Sequence, residues 1–146
     1  MITNPERQSQ LLSALYIAQE EHGWLSPEAI QRISDRLGMS PGKVLSSASF
    51  YSMMQMEPRG VYLIQVCEGL SCYLLGGAES LIEYLSQELE IQPGETSPDG
   101  LFTLEVVQCL AACGSAPAMR INDVLYENIT REDIDGLIVS MRSGEL

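Results

Sequence analysis

Basic residues are scarce in this chain. Eight Lys and Arg stand against twenty Asp and Glu, a net charge of −12 at neutral pH, and Lys43 is the only lysine. A surface of that sign repels phosphate backbones and anionic membranes, which argues against a nucleic-acid binder. No apolar run approaches the roughly 20 residues that a spanning helix needs. The opening MITNPERQSQ is polar and has no apolar signal core. The expected location is the cytoplasm, without direct insertion into a membrane. His22 is the one histidine, and it reads as a helix-end residue rather than a ligand. Gly76-Gly77 opens a helical stretch without the GxGxxG pattern, so no nucleotide site of the chain's own is expected. No catalytic constellation stands out. At 146 residues with 45% apolar content, the chain can build one core or two small subdomains.

What is present is four cysteines in two short stretches. Four residues separate Cys67 from Cys72 in VCEGLSC, and three separate Cys109 from Cys113 in QCLAACG. Each pair follows a run that reads as a buried strand, VYLIQV (61–66) and LFTLEVV (101–107). A strand gives rigidity, and a Gly-containing loop at its end can turn thiols and backbone N–H groups toward one point. Two such loops facing each other would supply four thiolates, the complement that a 2Fe–2S cluster takes. In a reducing compartment two cysteine pairs point to metal or redox chemistry rather than structural disulfides.

The first fifty-odd residues read as helices with short turns. Residues 6–21 carry Leu11, Leu12, Leu15, Ile17 and Ala18 in a mostly helical stripe, ended by His22-Gly23. Ser26-Pro27 and Ser40-Pro41 each pair an N-cap with proline at the first helical position. The second helix buries Ala29, Ile30, Ile33 and Leu37 and closes at Gly38, and the third is expected to run to about Met54, before Pro58. A helix-turn-helix DNA reader is a poor fit, because residues 40–54 offer one lysine and no arginine. Met53, Met54 and Met56 read as core or subunit contacts.

From Val61 the pattern changes. After the first strand and cysteine loop, residues 76–89 show Leu81, Ile82, Leu85 and Leu89 at helical spacing, and residues 91–100 form a polar loop. Strand–helix–strand implies a parallel pair with a right-handed crossover. PAMRI (117–121) and VLYEN (124–128) then flank Asn122-Asp123, a two-residue hairpin turn. Thr130 with Asp133 signals a capping box for a last helix buried through Ile134, Leu137, Ile138 and Met141. The expected fold is α/β: a helical domain over residues 1–57, then a thioredoxin-like βαββα domain over residues 58–146.

Spacing leaves more than one metal open. Structural zinc also takes four thiolates, though most often with two residues between the members of a pair. A thioredoxin-type redox site needs Cys-x-x-Cys, which neither pair has. Plant-type ferredoxins share the first gap of four but not the second of three.

The flanking sequence narrows the choice. VCEGLSCYLLGGAESL, GETSPDGLFTLEVVQCLAACGSAPAMRINDVLYENIT and the opening IAQEEHGWLSPEAI resemble one family. It is the small thioredoxin-like 2Fe–2S subunit of the NADH-dehydrogenase module of respiratory complex I, with the equivalent subunits of NAD-linked hydrogenases and formate dehydrogenases. The resemblance runs from about residue 6 to 142. It implies that Cys67, Cys72, Cys109 and Cys113 ligate one 2Fe–2S cluster. It implies that the chain passes single electrons to or from FMN on a partner flavoprotein that binds NADH, within a larger respiratory or hydrogenase complex. The N-terminal helices would clasp that partner. The leading expectation is NADH-quinone oxidoreductase. The other possibilities are the diaphorase part of a hydrogenase or formate dehydrogenase, a free-standing carrier, and a zinc-stabilised assembly protein. Two positions depart from the family pattern. Ala111 stands where the second cysteine segment usually has Gly, and Ser46-Ser47 replaces a usual Gly-Val ahead of Ala48, Ser49, Phe50 and Tyr51. Gly69, Gly114 and their neighbours are the expected N–H donors to sulfur.

Overall fold

In the computed structural model, residues 8–75 and 77–145 are described. The chain divides into two compact units, Met1–Pro58 and Arg59–Leu146. Residues 6 and 7 of the expected first helix, and Gly76 of the expected helix opening, lie outside the described residues.

The first unit holds α1 (Leu11–His22), α2 (Pro27–Leu37) and α3 (Pro41–Phe50). The Ser26 hydroxyl accepts the Ala29 N–H at 3.1 Å, and Ser40 accepts the Lys43 N–H at 3.4 Å. Replacing such a cap by alanine costs about 1 kcal/mol. Gly23 and Gly38 end α1 and α2 at φ 76° and 62°, where a Cβ would crowd the backbone. Leu11, Leu15 and Ala18 of α1 meet Ala29, Ile30, Ile33 and Leu37 of α2 and Val44 and Ala48 of α3, with Leu25 and Met54 closing the cluster. Leu12 and Ile17 do not join the α1 stripe and are 37% and 58% exposed. The buried row follows spacings of four and three, and these two residues fall beside it.

The third helix stops at Phe50, short of the expected Met54. Tyr51 turns extended (φ −95°, ψ 114°), and a turn follows in which the Met54 N–H bonds the Tyr51 carbonyl at 2.9 Å. Gln19 of α1 captures this segment: its Nε2 donates to the Met53 carbonyl at 3.0 Å, and its Oε1 accepts the Gln55 N–H at 2.6 Å. The Leu25 N–H bonds the Gln55 carbonyl at 2.8 Å. These bonds hold the chain where Met54 drops into the core while Phe50, Tyr51 and Met53 stay exposed.

The second unit holds β1 (Tyr62–Cys67), α4 (Leu70–Leu74), α5 (Ala78–Leu89), β2 (Phe102–Val107), a 3₁₀ turn (Cys113–Ser115), β3 (Ala118–Ile121), β4 (Val124–Glu127) and α6 (Arg131–Ser143). The sheet order is β2-β1-β3-β4, with β1 and β2 parallel and the other two pairings antiparallel. The expected parallel pair, hairpin and final helix are present, and the sheet has four strands, one more than the βαββα formula counts, because both hairpin strands follow β2. Thr130 and Asp133 form a full capping box, and Asn122 takes φ 50° in the β3–β4 turn. Side chains alternate across the sheet. Tyr62, Ile64, Val66, Phe102, Leu104, Met119 and Ile121 line one face and pack against Leu81, Leu85 and Leu89 of α5 and Ile134, Ile138 and Met141 of α6. Truncating a fully buried member such as Ile64 to alanine costs about 2–5 kcal/mol. The loop before β2 is not loose: the Gly94 N–H bonds the Leu104 carbonyl at 2.7 Å, and the Leu104 N–H bonds the Glu95 carbonyl at 3.1 Å. It thereby occupies part of the open edge of β2, which would otherwise present unpaired backbone groups.

Candidate metal centre

The parallel pairing of β1 and β2 sets Cys67 opposite Val107. Both cysteine segments therefore leave the sheet at the same end. The Glu68 N–H extends the ladder to the Val107 carbonyl at 2.9 Å. The sequence pattern predicts Cys67 and Cys72 in a loop after the strand. Cys67 is instead the last residue of β1, and Cys72 lies within α4. The extra ladder bond and one turn of helix hold both more firmly than a loop would.

Small residues let the two segments meet. A Cβ at Gly69 would lie 2.9 Å from the Gln108 carbonyl oxygen and 3.4 Å from the Cys67 sulfur. A Cβ at Gly77 would collide with the Pro117 ring. Cys67, Cys72 and Ala78 form a small buried cluster with Leu110 and Ala116 packed on it. Sequence reasoning finds Gly69 as an N–H donor and misses Gly77, whose role depends on a contact 40 positions along the chain, at Pro117.

All four cysteines are free, Cys67 and Cys72 buried and Cys109 and Cys113 exposed. Burial pushes the Cys67 thiol up, but N–H groups of Gly69 and Leu110 and the thiols of Cys72 and Cys109 outweigh it, leaving its pKa below the ordinary value. Burial pushes the Cys72 thiol up, reinforced by its hydrogen bond to Cys67 and by the charges of Cys67 and Cys113, against an opposing N–H from Ala118. The Ala111 N–H donates to the Cys109 sulfur at 3.2 Å. The described donors are thus Gly69, Leu110, Ala111 and Ala118. Ala111 makes its bond from the left-handed region, at φ 61°, which is the conformation that explains a usual glycine there.

The electrostatics link the thiols: the Cys67 shift draws on Cys72 and Cys109, and the Cys72 shift on Cys67 and Cys113. Among the described residues, no three His, Cys, Asp or Glu side chains gather tightly enough for a single metal ion. A dinuclear cluster makes a different demand, because its thiolates divide over two irons. An all-thiol donor set with N–H groups aimed at sulfur fits that requirement. No described helix is long and apolar enough to cross a membrane.

The family model for thioredoxin-like [2Fe-2S] ferredoxins matches residues 1–142. This chain belongs to that family. It is 43% identical over 140 residues to NADH-quinone oxidoreductase subunit 2 of Thermus thermophilus, covering 95% of this chain and 77% of the relative. It is 40% identical over 141 residues to an NADH-quinone oxidoreductase subunit of Rhizobium meliloti, covering 97% and 83%. An NAD+-reducing [NiFe]-hydrogenase superposes with a TM-score of 0.82 at 26% identity, over 92% of this chain. This chain spans only 23% of that hydrogenase chain.

Proposed function

We propose that Cys67, Cys72, Cys109 and Cys113 hold one 2Fe–2S cluster, and that the chain is the electron-transfer subunit of an NADH-quinone oxidoreductase. In this reading it exchanges single electrons with FMN on a partner flavoprotein that binds NADH. What supports this reading is that the two cysteine segments, with all four thiols free, leave the sheet at the same end through the parallel β1–β2 pairing. The bound cluster supplies one-electron redox chemistry, and the protein supplies position and electrostatics. Cys67 and Cys72 form the buried wall of the site, and Cys109 and Cys113 the open side. The N–H groups of Gly69, Leu110, Ala111 and Ala118 offset negative charge on sulfur without bringing in a cation. Leu70, Tyr73, Leu74 and Leu75 are exposed beside Cys72, an apolar rim suited to a partner surface that excludes water from the site.

The partner assignment draws support from the first unit, where Ile17, Leu45, Phe50 and Met53 are exposed. Exposed apolar side chains of this size suit an interface core. Through such a partner the chain would sit at the inner face of a membrane without entering it. A hydrogenase diaphorase role is the second reading, favoured by the superposition on the NAD+-reducing hydrogenase.

Anaerobic reconstitution tests the cluster. Two irons and two sulfides per chain, with a rhombic spin signal after dithionite, are expected; stoichiometric zinc without iron or sulfide in protein isolated from its host would refute it. The partner is tested by NADH-dependent bleaching. The chain alone should not oxidise NADH, and should become reducible by NADH only when joined to an FMN-bearing subunit. Phe50→Asp with Met53→Asp should weaken that association in a pull-down, and an undiminished association would remove the helical unit from the interface. The identity of the co-purifying enzyme separates the quinone reductase from the hydrogenase.

A further inference from the structure

The sheet has a second face, opposite the α5–α6 core, and Cys67 belongs to it. One pleat back along β1 on the same face is Gln65, almost completely buried. Its register partners are Glu105 on β2 and Arg120 on β3. The three side chains form one row across three strands. Gln65 Nε2 donates to Glu105 Oε2 at 2.8 Å, and Arg120 Nε and Nη2 both donate to Gln65 Oε1, at 2.9 and 2.5 Å. Among the described residues Arg120 makes no salt bridge, and the amide of Gln65 stands between the two charges. The residue opposite Arg120 on its other side is Leu125.

This row is costly to build in a half-buried place unless each group is satisfied. A fold that only needed to cover the face could use apolar residues. Its position offers a role. Arg120 and Glu105 are the two diagonal neighbours of Cys67 on the flanking strands, at roughly 7–8 Å by sheet geometry. The two residues thus flank the same ligand in register, and the Gln65 amide clamps both side chains.

We propose that Arg120 and Glu105 are positioning residues for the electrostatics of the redox site, an opposed pair whose charges set the reduction potential at Cys67. The inference rests on the cluster reading above. One electron from a redox dye adds one unit of negative charge at the site; Arg120 favours that charge and Glu105 opposes it. A unit charge at roughly 8 Å shifts such a one-electron equilibrium by roughly two- to thirtyfold, between effective dielectrics of about 80 and 20. Salt screens a half-buried pair less than an exposed one, so the shift should persist at high ionic strength.

The test is anaerobic dye equilibration of the full-length holoprotein, followed by visible absorption, with iron and sulfide content and thermal unfolding measured on each sample. Arg120→Gln should make reduction less favourable and Glu105→Gln more favourable, each within that range. Arg120→Lys should stay nearer the wild type than Arg120→Gln, because it keeps the charge. Glu105→Gln supplies an independent arm should loss of Arg120 disturb the fold. If both neutral variants hold a full cluster and leave the equilibrium unchanged, or both shift it in the same direction, the inference is wrong, and the row is structural. If the wild type takes up no iron and sulfide, the cluster reading fails first and this inference with it.

Discussion

Ala111 is the one non-glycine residue between the second pair of cysteines that sits at positive φ, at 61°. An L residue there brings its Cβ against the neighbouring carbonyl, at about 1–2 kcal/mol. Ala111→Gly removes that contact. It also frees the unfolded chain, which offsets about 0.4–1 kcal/mol of the gain. The net expectation is stabilisation by about 0.5–1 kcal/mol, or a rise in Tm of about 2–8 °C for a unit of this size. The Ala111 N–H that donates to Cys109 belongs to the backbone, so the variant should keep that bond and its cluster. Ala111→Val should move the other way and lose more than about 1 kcal/mol, since a β-branched side chain tolerates this region worst. Thermal unfolding of the cluster-free chain by circular dichroism reads the stability, and the visible spectrum reads cluster retention. If Ala111→Gly is destabilised while Ala111→Val is not, the left-handed conformation at this position is not what the sequence difference reflects.

Gly69→Ala should separate the cysteine segments, because its Cβ would lie 2.9 Å from the Gln108 carbonyl; cluster content should fall much further than Tm, and full cluster content would show that the segments can shift apart at no cost. Cys67→Ser and Cys109→Ser should both abolish the native spectrum, serine being a poor ligand for this site. Only Cys67→Ser should also destabilise the cluster-free chain in denaturant titration, since Cys67 is buried and Cys109 exposed; equal stability of the two variants would count against the placement of Cys67. Tyr84 donates its hydroxyl to Asp135, and this bond, then burial and nearby carboxylates, pushes its pKa from 10.0 to about 12. A folded-state pKa raised in this way contributes stability that is full below pH 10 and is lost as pH rises toward 12. Tyr84→Phe should therefore flatten the stability–pH curve in that window, and a slope equal to wild type would remove the Tyr84–Asp135 bond as its cause.

Local pattern alone determined much of this protein. Ser26-Pro27 and Ser40-Pro41 announce helix starts because a hydroxyl acceptor and a fixed φ satisfy the first turn whatever lies beyond it. Thr130 with Asp133, and Asn122-Asp123, are equally local, and all appear in the structure. The cysteine spacing and its flanks pointed to the family for a related reason, since the chemistry of the site demands particular residues at short range. Tertiary structure decided what depends on distant partners. Gln19 stops α3 at Phe50 by holding residues 53 and 55, and no propensity within 40–54 encodes a glutamine on another helix. Met54 is buried and Phe50 exposed as a consequence. Parallel pairing of β1 with β2 brings the two cysteine segments to one end of the sheet, Pro117 reveals why residue 77 is glycine, and the register of three strands joins Glu105, Gln65 and Arg120 into one row. Each of these relations is set by packing between segments dozens of residues apart, where sequence spacing carries no geometric information.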